Sequence, residues 1–287
     1  MLENKCVCCI NNVKLIKFET KIMEFAYICN MIASNTKKRF LLVGALFLSL
    51  SSFSKTNSGS LFMDKVASLD NDSVYVKAQA GFKNFTHGLY QALNDSTLSY
   101  KAFEYAAKGY FNLLSRKKVL KDRFFTVIDF AKPSTEERMY IIDLCYNRII
   151  HKSIVSHGKN SGSLYARKFS NEDESHQSSI GFFVTTSTYN SSKYDLALRL
   201  DGLEYSNDNA RSRGVVMHGA DYATYDFLNK YGVLGRSYGC PAMPYENFDK
   251  VVNWIKHGTC LFIYYPDNYY LRRSRILNRK DYLGFFV

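Results

Sequence analysis

Residues 124–157 run FFTVIDFAKPSTEERMYIIDLCYNRIIHKSIVSH. Within them FFTVIDF, ERMYIIDL and RIIHKSIVSH are short runs rich in β-branched and aromatic residues, divided by polar, turn-forming segments. That is the pattern of strands rather than helices. Downstream it continues in SIGFFVTTSTY (179–189), YDLALRL (194–200), GVVMHG (214–219) and CLFIYYP (260–266). One amphipathic helix interrupts it over roughly 247–257, where Phe248, Val251, Val252 and Ile255 share a face. Strands in succession, not alternating with helices, predict an α+β, mainly β body built as a sandwich or barrel. Upstream, Phe103, Ala106, Ala107, Tyr110 and Leu114 fall at helical offsets with Ser99 as N-cap, which predicts a helical segment over 84–120 packing on a domain of 121–287.

The front of the chain reads differently. Residues 37–54, KKRFLLVGALFLSLSSFS, place three cations before an apolar stretch (about 40–53) and small residues after it, the order of a cleaved export signal. Residues 1–54 are expected to be an extension plus this signal, with Met31 as the conventional start and 1–30 outside the functional protein, and 55–83 to be a linker. No apolar run reaches the roughly 20 residues of a membrane-spanning helix, so no stable membrane span is expected. Export to the periplasm or cell-wall space follows.

The chain has 287 residues, 46% of them hydrophobic, with 22 Tyr and 21 Phe, so it can fill a core and is not disordered. Its net charge is +12; residues 1–54 hold seven Lys/Arg and three Asp/Glu, so their removal leaves +8. A basic exported protein is drawn to anionic polymers such as a carboxylate-rich wall. Arg272, Arg273, Arg275, Arg279 and Lys280 follow the aromatics of YYPDNYYL, but no nucleic-acid recognition motif accompanies them and they read as a solvated face, so no nucleic-acid partner is expected. No G-x-G-x-x-G or phosphate loop is present, and the part after residue 54 has neither His-x-x-x-His nor Cys-x-x-Cys, so no cofactor and no metal site are expected. Cys145, Cys240 and Cys260 remain after cleavage. Cys145 and Cys260 lie in apolar runs, where a small buried hydrophobe or a mutual disulfide fits. Cys240 lies in the turn SYGCPAMP.

Residues 211–244 bring His218 to the end of a short strand and Cys240 into that Gly-flanked turn, 22 positions later. An imidazole near a thiol lowers its pKa and shuttles its proton, and a glycine before the nucleophile lets backbone N–H groups approach a developing oxyanion. On residue chemistry alone, a satisfied polar His and a structural Gly-Cys-Pro turn fit the same residues.

The block resembles the murein L,D-transpeptidase catalytic domain (YkuD-like), whose signature is His, a spacer, then Ser/Thr-x-Gly-Cys, matched by His218, Ser237, Gly239 and Cys240. The resemblance extends through TVIDFAKPS (126–134), SHGKNSGS (156–163), FSNEDESHQSSIGFFVT (169–185), LRLDGLE (198–204), NARSRGVVMHGADY (209–222) and GRSYGCPAMP (235–244). It implies an L,D-transpeptidase-like β-sandwich or barrel over 121–287. By position, Cys240 is the nucleophile and His218 the general base. The Gly219 carbonyl orients the imidazole, amides at Gly239 and Cys240 form the oxyanion hole, and Ser237 bonds within the turn. Arg236 would meet a substrate carboxylate, and Ser178 and Ser179 would flank the cleft. Many members carry His between the Ser and the Gly; here Tyr238 stands there, with Pro241 after the Cys. His157 or His176 would compensate, and Tyr222 is poised four residues after His218.

The reaction so implied starts from a peptidoglycan stem tetrapeptide. Cys240 attacks the carbonyl linked to terminal D-Ala, D-Ala leaves, and the thioester passes to an amine, giving a 3→3 cross-link, or to water, giving an L,D-carboxypeptidase. Carbapenems would acylate the same thiol. A papain-like peptidase would place Cys before His. A non-catalytic wall-binding module has no use for the pair.

Overall fold

The computed structural model describes residues 72–190, 192 and 194–287; the expected leader, the N-terminal extension and residues 55–71 of the linker lie outside the described residues. The architecture is mainly β. Eight strands, β1 (Phe124–Asp129), β2 (Met139–Asp143), β3 (Arg148–Ser153), β4 (Gly181–Tyr189), β5 (Ala197–Gly202), β6 (Val216–Gly219), β7 (Ala242–Met243) and β8 (Cys260–Tyr264), form one sheet in the order β3-β2-β1-β8-β4-β5-β6-β7. β1–β8 and β6–β7 are parallel and the remaining pairs antiparallel. The two edges meet: Ser156 and Gly158, just past β3, bridge to Ala242 and Ser237, so the sheet is nearly a closed barrel.

The middle of the sheet is covered on both sides, which is why β2 and β8 are buried at every position instead of alternating. Helix α1 (Asp72–Leu93) and helix α2 (Tyr100–Ser115) lie outside it. Ser99 caps α2, its Oγ accepting from the Ala102 N–H at 3.4 Å. Phe103 and Tyr110 of α2 set their rings against Phe125 of β1, and Gly109 lets Phe182 of β4 approach so closely that a Cβ there would stand 1.9 Å from the ring. On the other face Thr185 of β4 donates to the Ile255 carbonyl of α4 (Phe248–Ile255), whose Phe248, Val251, Val252 and Ile255 are all buried. The C-terminal stretch returns to the helices: the Tyr282 N–H meets the Asn112 side chain at 2.7 Å, and Phe286 packs edge-on to Phe82 and Phe111.

Several elements differ from the sequence reading. Residues 72–83, expected as linker, are helical, because Ala78, Phe82, Thr86, Leu89 and Leu93 form one buried stripe with polar residues between them. The short helices α3 (Tyr225–Tyr231) and α5 (Asn268–Arg273) and the two-residue β7 were not anticipated. No disulfide joins Cys145 to Cys260; Cys260 is fully buried in β8. Within the C-terminal cations, Arg279 pairs with Asp281 at 2.6 Å, and Arg273 and Lys280 lie over the rings of Tyr269 and Tyr75.

Candidate active site

The seam of the barrel sets the strand of His218 beside the segment of Cys240. Parallel pairing sets His218 of β6 opposite Ala242 of β7, which puts Cys240 two residues before that point, beside Val216. The Val216 N–H points at Cys240 Sγ at 3.4 Å, and Sγ lies 3.7 Å from the Gly214 carbonyl. On its other side, the turn is held by the strand-like segment after β3. The Ser237 N–H donates to His157 O at 3.0 Å, the Lys159 N–H to Ser237 O at 2.8 Å, and the Ser156 N–H to Ala242 O at 2.7 Å. The turn 237–242 is therefore suspended between two backbones, not on a free loop.

Inside it, Ser237 Oγ accepts from the Gly239 N–H at 3.1 Å and donates to the Cys240 carbonyl at 2.6 Å. The Gly239 amide, expected to help form an oxyanion hole, is thus bonded inside the turn. Gly239 itself adopts φ +122°, a conformation that favours glycine, and a Cβ there would stand 2.9 Å from the Gln177 carbonyl.

His218 is buried, and its Nδ1 lies 2.9 Å from the Gly219 carbonyl. A carbonyl can only accept, so Nδ1 carries the proton and Nε2 carries the lone pair. The Tyr194 ring lies over the imidazole with centroids 4.0 Å apart, and Tyr222 stands edge-on at 6.4 Å. Burial, reinforced by the charge of Cys240, pushes the Tyr222 phenol up, so it stays protonated beside the thiol. Ala197, across β5 from His218, joins Val216 and Cys240 in a small apolar cluster against Tyr189 and Tyr194.

The other expected site residues divide. Tyr238 is exposed, its ring tilted against His176 at 4.5 Å, with Lys159 Nζ 4.5 Å from its centroid. Arg236 is exposed and reaches the Gly162 carbonyl at 3.3 Å. Three residues expected to touch substrate are instead buried and engaged by the protein. Ser178 Oγ accepts from the Gly158 N–H at 3.0 Å and donates to Gly239 O at 3.1 Å; Ser179 Oγ donates to Ser170 O at 2.8 Å. His157 is 1% exposed and engaged by the fully buried Arg138, whose Nη2–H donates to Nδ1 at 2.8 Å. Because arginine only donates, Nε2 carries the His157 proton and gives it to Gly162 O at 3.3 Å. Burial first, then the Arg138 charge, pulls the His157 pKa down to about 4.

Some contributors were not singled out in advance: the Val216 N–H, Tyr194, Arg138 and Arg213. Their roles depend on which strands become neighbours. The only advance signal for Arg213 was its position in NARSRGVVMHGADY, five residues before His218.

The sequence model of the L,D-transpeptidase catalytic domain matches residues 94–264, more than half of the chain and all of the seam just described. The chain belongs to that family. No curated protein matches it. Among solved structures, an L,D-transpeptidase from Mycobacterium smegmatis is 14% identical with a TM-score of 0.33 over 50% of this chain and 59% of that one. An L,D-transpeptidase from Mycobacterium tuberculosis H37Rv is 17% identical, with a TM-score of 0.32, over 50% and 58%. L,D-transpeptidase 3 from Mycobacterium tuberculosis, in complex with a faropenem-derived adduct, is 14% identical with a TM-score of 0.33 over 50% and 60%. This L,D-transpeptidase-family chain thus spans a little over half the length of those proteins. Among the described residues, no helix is long and apolar enough to cross a membrane.

Proposed function

We propose that this protein is an exported peptidoglycan L,D-transpeptidase that uses Cys240 as nucleophile and His218 as proton carrier. The observation that carries this reading is the seam: an imidazole locked with its lone pair on Nε2, on the strand next to a thiol whose sulfur meets a backbone amide. In the proposed cycle the Cys240 thiolate adds to the carbonyl between the diamino acid and the terminal D-Ala of a stem tetrapeptide. The C–N bond then breaks, the imidazolium of His218 gives its proton to the departing amine, and a thioester remains. An acceptor amine, deprotonated by His218, attacks the thioester. The C–S bond breaks, an amide forms and the thiolate is restored. In this cycle the Cys240 N–H, at the end of the turn, faces the oxyanion. The basic body and the signal-like leader fit a substrate in the wall.

The test is product analysis with purified muropeptide tetrapeptides. Wild-type protein is expected to release D-Ala and form a cross-linked dimer, with both lost in Cys240→Ala. D-Ala release with only tripeptide would mean that water is the acceptor. No release and no acyl adduct would sink the reading in favour of a wall-binding module. A carbapenem, whose strained amide a thiolate opens, is expected to add one drug mass at Cys240; adduct formation at Cys145 would count against the nucleophile.

A further inference from the structure

Arg213 is left unused by this cycle, yet it lies against the nucleophile turn. It ends the segment before β6, and the next residue, Gly214, supplies the carbonyl 3.7 Å from Cys240 Sγ. Its guanidinium makes four bonds, all to one segment. Nη1 donates to Ser170 O (2.8 Å) and Ser179 Oγ (2.7 Å), and Nη2 to Ser175 Oγ (3.0 Å) and Gln177 O (2.8 Å). None of these acceptors is a carboxylate, so the four bonds fix the fork without cancelling its charge. Nη2 and the Gln177 carbonyl it holds pack against Gly239: a Cβ there would come within 3.6 Å of the first and 2.9 Å of the second.

The clamped segment acts on the reacting peptide. Ser178, next to Gln177, donates its Oγ proton to the Gly239 carbonyl at 3.1 Å. The Gly239 C=O and the Cys240 N–H belong to one planar peptide, so fixing the carbonyl direction fixes where that N–H points. A path of bonds therefore runs from the guanidinium to the amide that would face the oxyanion.

We propose that Arg213 is a positioning residue: it clamps the 170–179 segment onto the Gly239 side of the turn and holds a fixed positive charge beside the Cys240 thiol. The assignment rests on Cys240 being the nucleophile. The groups that set the thiol's charge are His218 on β6, Tyr222 after it and Arg213 before it, with Asp173 acting on the guanidinium. Burial lowers the Arg213 pKa, and Asp173 and Cys240 each act to raise it. An interaction that favours the cation beside a thiolate equally favours the thiolate beside the cation.

The test compares wild-type protein with Arg213→Gln and Arg213→Lys. Alkylation of Cys240 by iodoacetamide, followed by peptide mass from pH 5 to 10, gives the thiol midpoint; D-Ala release gives kcat and KM. Arg213→Gln is expected to raise the midpoint by about one pH unit or more. Arg213→Lys, which keeps charge but loses the fork, is expected to hold the midpoint and lose about tenfold in kcat with little change in KM. A wild-type midpoint in Arg213→Gln, or full turnover in Arg213→Lys, would overturn the proposal. Thermal denaturation checks that both variants fold, and Arg213→Lys carries the test if Arg213→Gln does not. Wild-type protein that releases no D-Ala, while its thiol midpoint still follows Arg213, would support the placed charge and overturn the acyl-transfer reading alone.

Discussion

Two histidines on opposite sides of the 237–242 turn are held in different tautomers by their hydrogen bonds, and each has its own pH signature. His218 donates from Nδ1, which leaves Nε2 to take a proton. Turnover should fall as that nitrogen protonates, giving kcat/KM an acid limb. A flat kcat/KM profile from pH 5 to 8 would contradict the pairing with Cys240. His157 accepts at Nδ1 from Arg138 and is held neutral, with a folded pKa near 4. The unfolded chain binds that proton near 6.5, so the stability His157 contributes is whole above about 6.5 and is lost as the pH falls toward 4, by about 3 kcal/mol. Burial raises the carboxyls of Asp129 and Glu204, which opposes this trend, and Asp95, pulled down to about 2, loses its contribution only at lower pH. The informative quantity is therefore the difference from His157→Gln. The drop in Tm between pH 6.5 and 4 should be smaller in that variant, and equal drops would remove His157 from the account.

At the scale of elements, the site depends on what hangs the turn on the seam. Ser237 supplies two internal bonds, and Ser237→Ala should cost about 1–2 kcal/mol and lower turnover, read by denaturant melts and D-Ala release. Away from the site, Gly109→Ala forces a methyl into the Phe182 ring where α2 meets β4; a loss of about 1–3 kcal/mol, or several degrees of Tm, is expected. Much of this was legible in the chain. The long strands and α4 announce themselves by β-branched runs and helical offsets, and the Cys240–His218 pair by its motif. The rest was hidden for identifiable reasons. β7 is two residues long and exists because its neighbours on both sides pair with it. The hydroxyls of Ser178 and Ser179 look like cleft polarity in one dimension and are structural bonds in three. Arg138 carries no sequence signal of its own, yet is fully buried, because the Lys132 carbonyl and, from a second segment, the Val155 carbonyl and the His157 ring receive it.

For the whole molecule, β8 joins two pieces of sheet that meet again at the bridges of Ser156 and Gly158. β1–β3 are a local antiparallel meander, and β4 to β7 form the other half. Within the ladder, only β8 pairs with both, through β1 and β4. The tail after it seats α1 and α2 through Tyr282 and Phe286. A chain ending at residue 257 should therefore show no cooperative melt and no carbapenem adduct, whereas a point change on the exposed face of α3 should leave both intact.

The position of that strand also sets a timetable. Phe125 and Cys260 are neighbours in the sheet but 135 positions apart in the chain. While the chain is being made or moved, the open edges of β1 and β4 wait for a segment near its end, and pairings of such long span form slowly. The strands of His218 and Cys240 pair with each other inside the β4–β7 half, but the backbone that holds the 237–242 turn from its other side follows β3 and belongs to the other half. The turn therefore gains its second support only when the two halves are brought together.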